Sequence, residues 1–267
     1  MLSAGRARAQ DRFEIQVYDS ETAGAGQVGL ETHWNYIFAG TKLTSPDGEE
    51  PNDHTFHLTF EPHVGLGDWG ELGCYFQTAA TPADGYEYAG VKLRFKLRYP
   101  RKLWDILGLA INFEVSSVPH RFEPNEWGSE IRPVADVRWR ALYVAVNPII
   151  DTDLKGQYAG QPQFAPAAKG ALFFLDREHL SAAAGLEYYS VLGPFGDFFS
   201  PSQQFHTLYG ALDIGTPYVD VNVGFGHGFA AGESFVGKAI LGFHGRAVAS
   251  ENPASVPAVP APASSTP

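Results

Sequence analysis

The sequence predicts an all-β protein: a transmembrane, antiparallel up-and-down β-barrel of about twelve strands, with short periplasmic turns and longer extracellular loops. Three observations support this fold. Apolar and polar residues alternate with a period of two, the alternation recurs in about a dozen segments of roughly ten residues, and short polar breaks alternate with long ones. No apolar run approaches the roughly 18 residues of a transmembrane helix, which leaves a closed barrel as the predicted spanning structure.

The alternation is clearest in residues 86–99. In this segment Val91, Leu93, Phe95 and Leu97 take one parity, and Lys92, Arg94, Lys96 and Arg98 take the other. Successive side chains of a β-strand point to opposite faces, so one face of this strand suits lipid and the other suits water. Residues 27–39 and 54–66 have the same pattern.

The predicted strands follow one another without an internal linker. In chain order they are approximately 27–39, 54–66, 69–80, 86–99, 107–118, 130–141, 142–152, 164–175, 180–192, 205–215, 218–228 and 235–244. The breaks at 67–68, 140–141, 176–179 and 216–217 are tight, whereas those at 40–53, 119–129, 153–163 and 193–204 are long. Tight turns are typical of the periplasmic side of a bacterial barrel, and an even strand number returns both termini to that side.

The two ends of the chain differ from the predicted strands. Residues 1–11 contain Ala7-Arg8-Ala9, which is typical of a cleavage site, so we interpret them as the remainder of a signal peptide, with an ordinary disordered N-terminus as the alternative. The barrel domain covers residues 12–245. Within it, residues 12–26 include a short alternating stretch that parity cannot place as a span, and we expect this segment in the lumen or at the periplasmic rim. The Pro/Ala-rich residues 246–267 are predicted to be a disordered tail.

Composition agrees with a membrane barrel. The net charge of −11 without a basic tract argues against nucleic acid as a partner. The single cysteine, Cys74, cannot form an internal disulfide. Aromatic residues fall where interfacial girdles are expected: Trp34, Tyr36, Phe38, Phe56 and Tyr188 toward the outer interface, and Trp69, Tyr99, Trp104 and Trp139 toward the periplasmic one.

Several strand and turn motifs resemble one family of bacterial barrels. They are residues 14–18 (EIQVY), 29–36 (GLETHWNY), 71–73 (ELG), 130–133 (EIRP), 146–150 (VNPII), 185–189 (GLEYY) and 238–240 (KAI). Over about residues 12–244 the chain resembles a proteobacterial outer-membrane β-barrel family of transporters, similar to barrels associated with phenol and other aromatic degradation pathways. The resemblance implies a location in the bacterial outer membrane and a channel function, and it supplies no catalytic motif. The Pro/Ala tail departs from the family, whose members end near a terminal aromatic residue.

The inward parity predicts the lining of the lumen, with an acidic and histidine-bearing wall opposite a basic one. The predicted pore-lining residues are Glu31, His33, His57, Glu61, His63, Glu71, Lys92, Arg94, Lys96, Arg98, Arg132, Asp136, Arg138, Arg140 and Glu187. Opposed charges in the periplasmic half predict a constriction with a transverse field. We therefore expect a channel for small solutes, aromatic or anionic, that works by passive diffusion with a modest preference for anions.

The alternative is a non-conducting structural barrel whose charges pair across a filled interior. Barrels of about eight strands are filled by side chains and those of 16 to 18 leave a channel, so twelve strands lie between these cases. The expected partners are the same for both: outer-membrane lipids and the outer-membrane insertion machinery, with a small-molecule solute for the channel.

One loop carries three phenylalanines beside the predicted extracellular mouth. Phe195, Phe198 and Phe199 form a candidate loop for gripping an aromatic solute or for closing the mouth. Packing against the other long loops is the alternative.

Other chemical motifs are weak. His206 or His227 with Ser190, Ser200 or Ser202 would be the candidates for a lipid hydrolase, but no nucleophile motif surrounds them, so we predict no enzyme and no catalytic residue. His57, Glu61 and His63 share a face that could bind zinc, yet luminal histidines are more often solvated, and no metal is predicted. The glycine pattern at 24–29 precedes a strand instead of a helix, so no nucleotide cofactor is expected.

Overall fold

The computed structural model describes residues 11–45, 48–99, 106–156 and 159–245. Its strands are β1 (Val28–Ala39), β2 (Phe56–Gly67), β3 (Gly70–Thr81), β4 (Gly85–Arg98), β5 (Leu107–Ser117), β6 (Trp127–Trp139), β7 (Leu142–Asn147), β8 (Ile150–Asp153), β9 (Gln163–Phe164), β10 (Ala167–Arg177), β11 (Leu180–Val191), β12 (Gly193–Pro194), β13 (Phe205–Gly215), β14 (Val219–Ala230) and β15 (Phe235–His244). Among the described residues, no helix is long and apolar enough to cross a membrane.

The long strands close into a 12-strand antiparallel barrel. Each strand from β1 to β7 pairs with the next, β7 pairs with β10, and the order β10-β11-β13-β14-β15 returns to β1. The short strands β8, β9 and β12 extend the wall beyond β7, where β8 pairs with β6. The predicted fold and strand order are confirmed.

Two predicted spans are interrupted. The span predicted at 142–152 divides into β7 and β8, and the span predicted at 164–175 divides into β9 and β10. Pro148 lies in the first gap and Pro166 in the second. Proline lacks a backbone N–H and cannot donate to the ladder, so regular pairing stops at these residues.

The barrel is polar inside and apolar outside. On β4 the side chain of Leu93 is 65% exposed, whereas its neighbours Lys92 and Arg94 are 7% and 6% exposed. On the outer face Phe38, Phe225 and Phe235 pack together, with ring centroids 5.2–6.4 Å apart. This arrangement reverses that of a soluble barrel and gives the exterior a surface that suits lipid.

The two rims differ in the length of their connections. Residues 68–69, 140–141, 178–179 and 216–218 form turns at one rim, where the described chain also enters β1 and leaves β15. We call it the short-turn rim. The opposite, long-loop rim carries residues 40–55, 118–126 and 192–204, but two of its connections, 82–84 and 231–234, are short. The predicted alternation of loop lengths therefore holds only in part.

Of the aromatic residues predicted for the periplasmic side, Trp69, Tyr99 and Trp139 lie near the short-turn rim. Trp69 occupies the turn before β3, and Trp139 ends β6, both with half-exposed side chains. Outside the described residues lie Trp104, residues 1–10 of the predicted signal-peptide region at 1–11, and the predicted tail at 246–267.

The lipid-facing exterior yields a testable stability difference. We expect Leu93→Arg to lower the free energy of unfolding in lipid bilayers by about 2–4 kcal/mol, because an outward-facing charge must enter hydrocarbon. Leu43, in the loop after β1 and 82% exposed, provides the matched control, and Leu43→Arg should have little effect. Reversible unfolding from vesicles measures both values, and equal losses would contradict a membrane-facing exterior.

Candidate functional site

An extended N-terminal segment fills much of the barrel lumen. We call residues 11–26 the plug. They form no strand, yet Phe13, Ile15 and Tyr18 are each less than 5% exposed. Their side chains contact residues of both walls.

The plug runs the length of the barrel. At the long-loop end the Arg12 guanidinium contacts Glu233, in the loop between β14 and β15, at 3.2 Å. At the short-turn end Glu21 pairs with Arg98, whose Nε donates to the carbonyl oxygen of Asp68 at 2.8 Å. The chain then turns through residues 24–26 into β1, and Gly26 adopts a φ of +70° that glycine tolerates without strain.

Barrel side chains hydrogen-bond the backbone of the plug. Asn147 binds Tyr18 twice: its Oδ1 accepts from the Tyr18 N–H at 2.7 Å, and its Nδ2 donates to the Tyr18 carbonyl at 3.0 Å. Five backbone carbonyl oxygens of the plug accept from barrel side chains: that of Arg12 from Asn35, of Phe13 from Thr59, of Ile15 from Lys238, of Gln16 from Arg132 and of Glu21 from Lys96. Two backbone N–H groups of the plug donate to barrel carboxylates: that of Ser20 to Asp136 and that of Ala23 to Glu71. These bonds replace the ladder of a regular strand.

The apolar side chains of the plug are buried in two separate apolar clusters. Ile15 and Val17 pack in an apolar cluster with residues of the opposite wall, including Tyr189, Tyr209 and Val236. Phe13 packs in a second cluster, with its ring edge-on to that of Phe122 at 5.9 Å. The alternating sequence of residues 13–18 thus reflects a segment buried on both sides.

The polar side chains of the plug meet the basic row of β4. Lys92 contacts Asp11 and lies 3.2 Å from Glu14, while Lys96 lies 3.5 Å from Asp19. Arg132 of β6 also reaches Glu14, at 3.5 Å. The carboxylates of the plug therefore compensate much of the basic wall.

The ring of Tyr18 sits among three cations of this wall. Its centroid is 4.2 Å from Arg132 Cζ, 5.2 Å from Lys96 Nζ and 5.6 Å from Arg94 Cζ. Its hydroxyl contacts that of Tyr75, which is fully buried. Cations are attracted to an aromatic face, so Tyr18 adds to the attachment of the plug.

Most residues predicted to line the pore lie on the luminal side. Those that are buried are His33, His57, Glu61, His63, Glu71, Lys92, Arg94, Lys96, Arg132, Asp136 and Glu187, and Glu31 and Arg98 are partly buried there. Arg138 is partly exposed and pairs with Asp176 at 2.7 Å near the short-turn rim.

Two parts of the predicted lumen are wrong. Arg140 lies in the exposed turn between β6 and β7, with a φ of +55° and its guanidinium 4.8 Å from the Trp139 ring, so it does not line the pore. Nor do the opposed charges leave an open constriction. Arg94 binds Glu61 and Glu71 directly, and the plug occupies the space between the walls.

The sequence reading missed a second charge cluster on the opposite wall. Lys238 of β15 contacts Glu187 and donates to the Ile15 carbonyl at 2.9 Å. Lys169 of β10 lies 3.1 Å from Glu187 and 2.6 Å from Asp213. Lys238 is an isolated charge at an inward position of the mostly apolar strand β15, and that isolation was the available signal.

Cavities remain on both sides of the plug toward the short-turn rim. One of about 730 Å³ is lined by Glu31, His63 and Lys96, and another of about 360 Å³ by Arg138, Lys169 and Asp213. Gln16, Val17, Asp19 and Glu21 line both, so the plug separates them. A cavity lined by residues of the long-loop half measures only about 60 Å³.

The phenylalanine loop forms a small aromatic cluster at the long-loop rim. Phe195 and Phe198 are each 49% exposed, and their ring centroids lie 5.4 and 6.4 Å from that of Phe164 in β9. Phe199 instead folds back against Gly193, which has a φ of +105°. Two of the three rings are thus available to a solute, and the third supports the loop.

The serine and histidine candidates do not form a catalytic pair. Ser190 lies opposite His206 in the strand register, but its hydroxyl donates to the Pro166 carbonyl at 3.1 Å. The ring nitrogens of His206 contact Tyr188 and Gln204, and His227 contacts the carbonyl of Ser234. Since a general base must reach its nucleophile, this geometry does not support hydrolysis.

The sequence analysis considered His57, Glu61 and His63 as zinc ligands, but the structure brings together a different set of carboxylates and imidazoles. His57 packs edge-on against Phe13, with ring centroids 4.7 Å apart. Among the described residues, ligand atoms of Glu31, His33 and Glu61 lie within 4.8 Å of one another. A second acidic group, Glu50, Asp84 and Glu87, surrounds the guanidinium of Arg121.

Comparison with known proteins shows the fold. No protein family matches the sequence, and no curated protein matches it significantly. The structure is similar to the crystal structure of an outer-membrane channel from Pseudomonas putida F1, with 12% identity, a TM-score of 0.54, and coverage of 86% of this chain and 100% of that one.

Two further solved barrels are more distant. They are the NanC porin (9% identity, TM-score 0.48, 80% of this chain and 97% of that one) and the translocator domain of the autotransporter NalP from Neisseria meningitidis (12%, 0.46, 85% and 90%). The match to the Pseudomonas putida channel shows that the chain has the fold of an outer-membrane β-barrel. Its closed ladder and apolar exterior place it in the outer membrane. A link to aromatic degradation stays a prediction.

Proposed function

We propose that the protein is an outer-membrane channel for small solutes, which conducts by passive diffusion when the plug leaves the lumen. The proposal rests on how the plug is attached to the barrel. Side chains hold it in place, and it is not part of a paired strand. Removing it would join the two cavities that it separates and would open the packed half of the lumen. The turn at residues 24–26 would allow the segment to swing out at the short-turn rim.

The same observations define the competing function, a non-conducting structural barrel. In that case the plug is a permanent part of a filled interior, in which the buried charges pair and conduct nothing. The two functions differ in one measurable respect, which is whether the plug leaves its site in the folded protein.

The charge of the plug supports a preference for anions. The plug contains four carboxylates and one guanidinium, and its acidic side chains pair with Lys92, Lys96, Arg98 and Arg132. When it leaves, these cations lose partners in a lumen whose low-dielectric walls screen charge poorly. The open state would therefore present a basic wall to solutes.

A disulfide between the plug and the barrel tests the proposal. A Cβ built on Gly108 lies 2.9 Å from the Ser20 Cβ, so a shift of roughly half an ångström or more reaches the 3.5–4.5 Å of a disulfide. We expect Ser20→Cys/Gly108→Cys, in a Cys74→Ser background, to be silent in planar bilayers when oxidised and to show discrete conductance steps when reduced.

The control is Cys74→Ser alone, whose conductance should not respond to reductant. Silence of the folded protein in both redox states, together with silence of a variant in which residues 12–22 are replaced by a Gly/Ser linker, would establish the structural barrel instead. Heat-modifiable migration on gels verifies that each variant is folded.

The released basic wall predicts an ion selectivity. In the reduced double-cysteine variant, we expect Lys96→Gln/Arg98→Gln to move the reversal potential in a salt gradient toward cation preference, because two luminal charges are lost. Arg140→Gln removes a charge of the same sign from the exposed turn and should leave the reversal potential unchanged. Equal shifts would mean that the lumen does not set selectivity.

Exposed rings at the long-loop rim support aromatic solutes as one substrate class. We expect Phe195→Ser/Phe198→Ser to weaken binding of an aromatic solute by about 0.5–1.5 kcal/mol per lost ring contact, roughly two- to tenfold. Phe229→Ser, at a 49% exposed ring on β14, is the control. Calorimetric titration of the refolded protein with an aromatic acid, and with a sugar for comparison, measures the affinity, and equal affinities for wild type and variant would exclude a role for the loop.

A further inference from the structure

Two carboxylates face each other across β1 and β2. Glu31 and Glu61 are directly paired in the antiparallel register, and both point into the lumen. Like charges directly opposite one another destabilise a sheet unless something compensates them. His33, two residues along β1, lies on the same face, with its Nε2 3.1 Å from Glu61 Oε2 and 3.9 Å from Glu31 Oε2.

The permanent cation nearby does not reach this pair of oxygens. Arg94 contacts the other oxygen of Glu61, Oε1, at 2.8 Å and also binds Glu71. Among the described residues, the groups near Glu31 Oε2 are Gln16 Nε2, at 3.3 Å, and His33 Nε2. Within the described ranges of the chain, Glu31 therefore has no Lys or Arg partner within 4.0 Å, and Glu61 shares Arg94 with Glu71.

We propose that Glu31, His33 and Glu61 bind a single divalent transition-metal ion, with Zn²⁺ as the best fit. Zinc takes imidazole nitrogen and carboxylate oxygen at about 2.0–2.2 Å, and tetrahedral ligands at that radius lie roughly 3.4 Å apart. The separations of His33 Nε2 from the two carboxylate oxygens bracket this value. An ion at this position would neutralise the opposed carboxylates.

The site has an entry path and an open position. Glu31 lines the cavity of about 730 Å³ near the short-turn rim, so an ion arriving from that side reaches the cluster without crossing the apolar wall. Three protein ligands leave a fourth position for water. Gln16 of the plug donates to the same Glu31 oxygen, so an ion there would be coupled to the contact between plug and wall.

The test is Zn²⁺ titration of the refolded full chain in detergent, after removal of metal with a chelator. We expect one saturable equivalent in isothermal titration calorimetry, and for Co²⁺ the visible absorption bands of a tetrahedral site. Glu31→Gln should weaken the affinity by at least about tenfold, as should His33→Gln. His57→Gln, at a buried luminal histidine of β2 outside the cluster, should leave the affinity unchanged.

Glu31→Gln keeps the experiment decisive even if His33→Gln fails to fold. It removes the repulsion between the opposed carboxylates, so its metal-free melting temperature should equal or exceed that of the wild type, while stabilisation by Zn²⁺ is lost. Absence of saturable binding, or binding of equal strength in wild type and Glu31→Gln, would overturn the proposal.

Discussion

The structure depends on one constraint: backbone polar groups at membrane depth must be hydrogen-bonded within the protein. The barrel meets it by closing its ladder between β6 and β7, so the ring has no free edge. The plug forms no strand and meets it mainly through side chains of the lumen such as Asn147, Thr59 and Lys238. Its backbone joins the wall at its C-terminal end, where the Gly26 N–H donates to the Gly65 carbonyl at 2.9 Å. Within the described part of the chain, residues 11–23 therefore lie inside the barrel without belonging to a strand pair.

Ion pairs as well as hydrogen bonds attach the plug to the wall. Removing one partner of a buried ion pair is costly, because the remaining charge has lost water as well as its partner. Lys92 and Arg132 share the carboxylate of Glu14, and Arg94 bridges Glu61 and Glu71. Departure of the plug must therefore admit water to the lumen, which is also what a conducting pore requires. In the proposed channel, closure and conduction would thus depend on the same set of charges.

The cluster of Glu31, His33 and Glu61 also contributes to the charge balance inside the lumen. It lies where the plug, the β1–β2 wall and the larger cavity meet, and Gln16 links it to the plug. An ion bound there would neutralise the carboxylates of Glu31 and Glu61, which Arg94 reaches only through Glu61 Oε1. The aromatic cluster of Phe164, Phe195 and Phe198 lies at the opposite rim, so the proposed solute contact and the proposed ion site are at different ends of the barrel.

The sequence by itself determined the barrel, because a period of two residues and the position of turns are local properties. Residues 86–99 show this well: their parity alone assigns Lys92, Arg94 and Lys96 to the interior, where they lie. Parity failed at Arg140, since a residue in a turn no longer follows the strand period.

Only the tertiary structure decided what fills the lumen. The residues that meet there, such as Tyr18 with Arg132 or Ile15 with Lys238, are more than a hundred positions apart in sequence. The alternation of residues 13–18 and their acidic neighbours fitted either a rim or a lumen. The choice between them rests on contacts with both walls at once, and such contacts exist only after the barrel has closed.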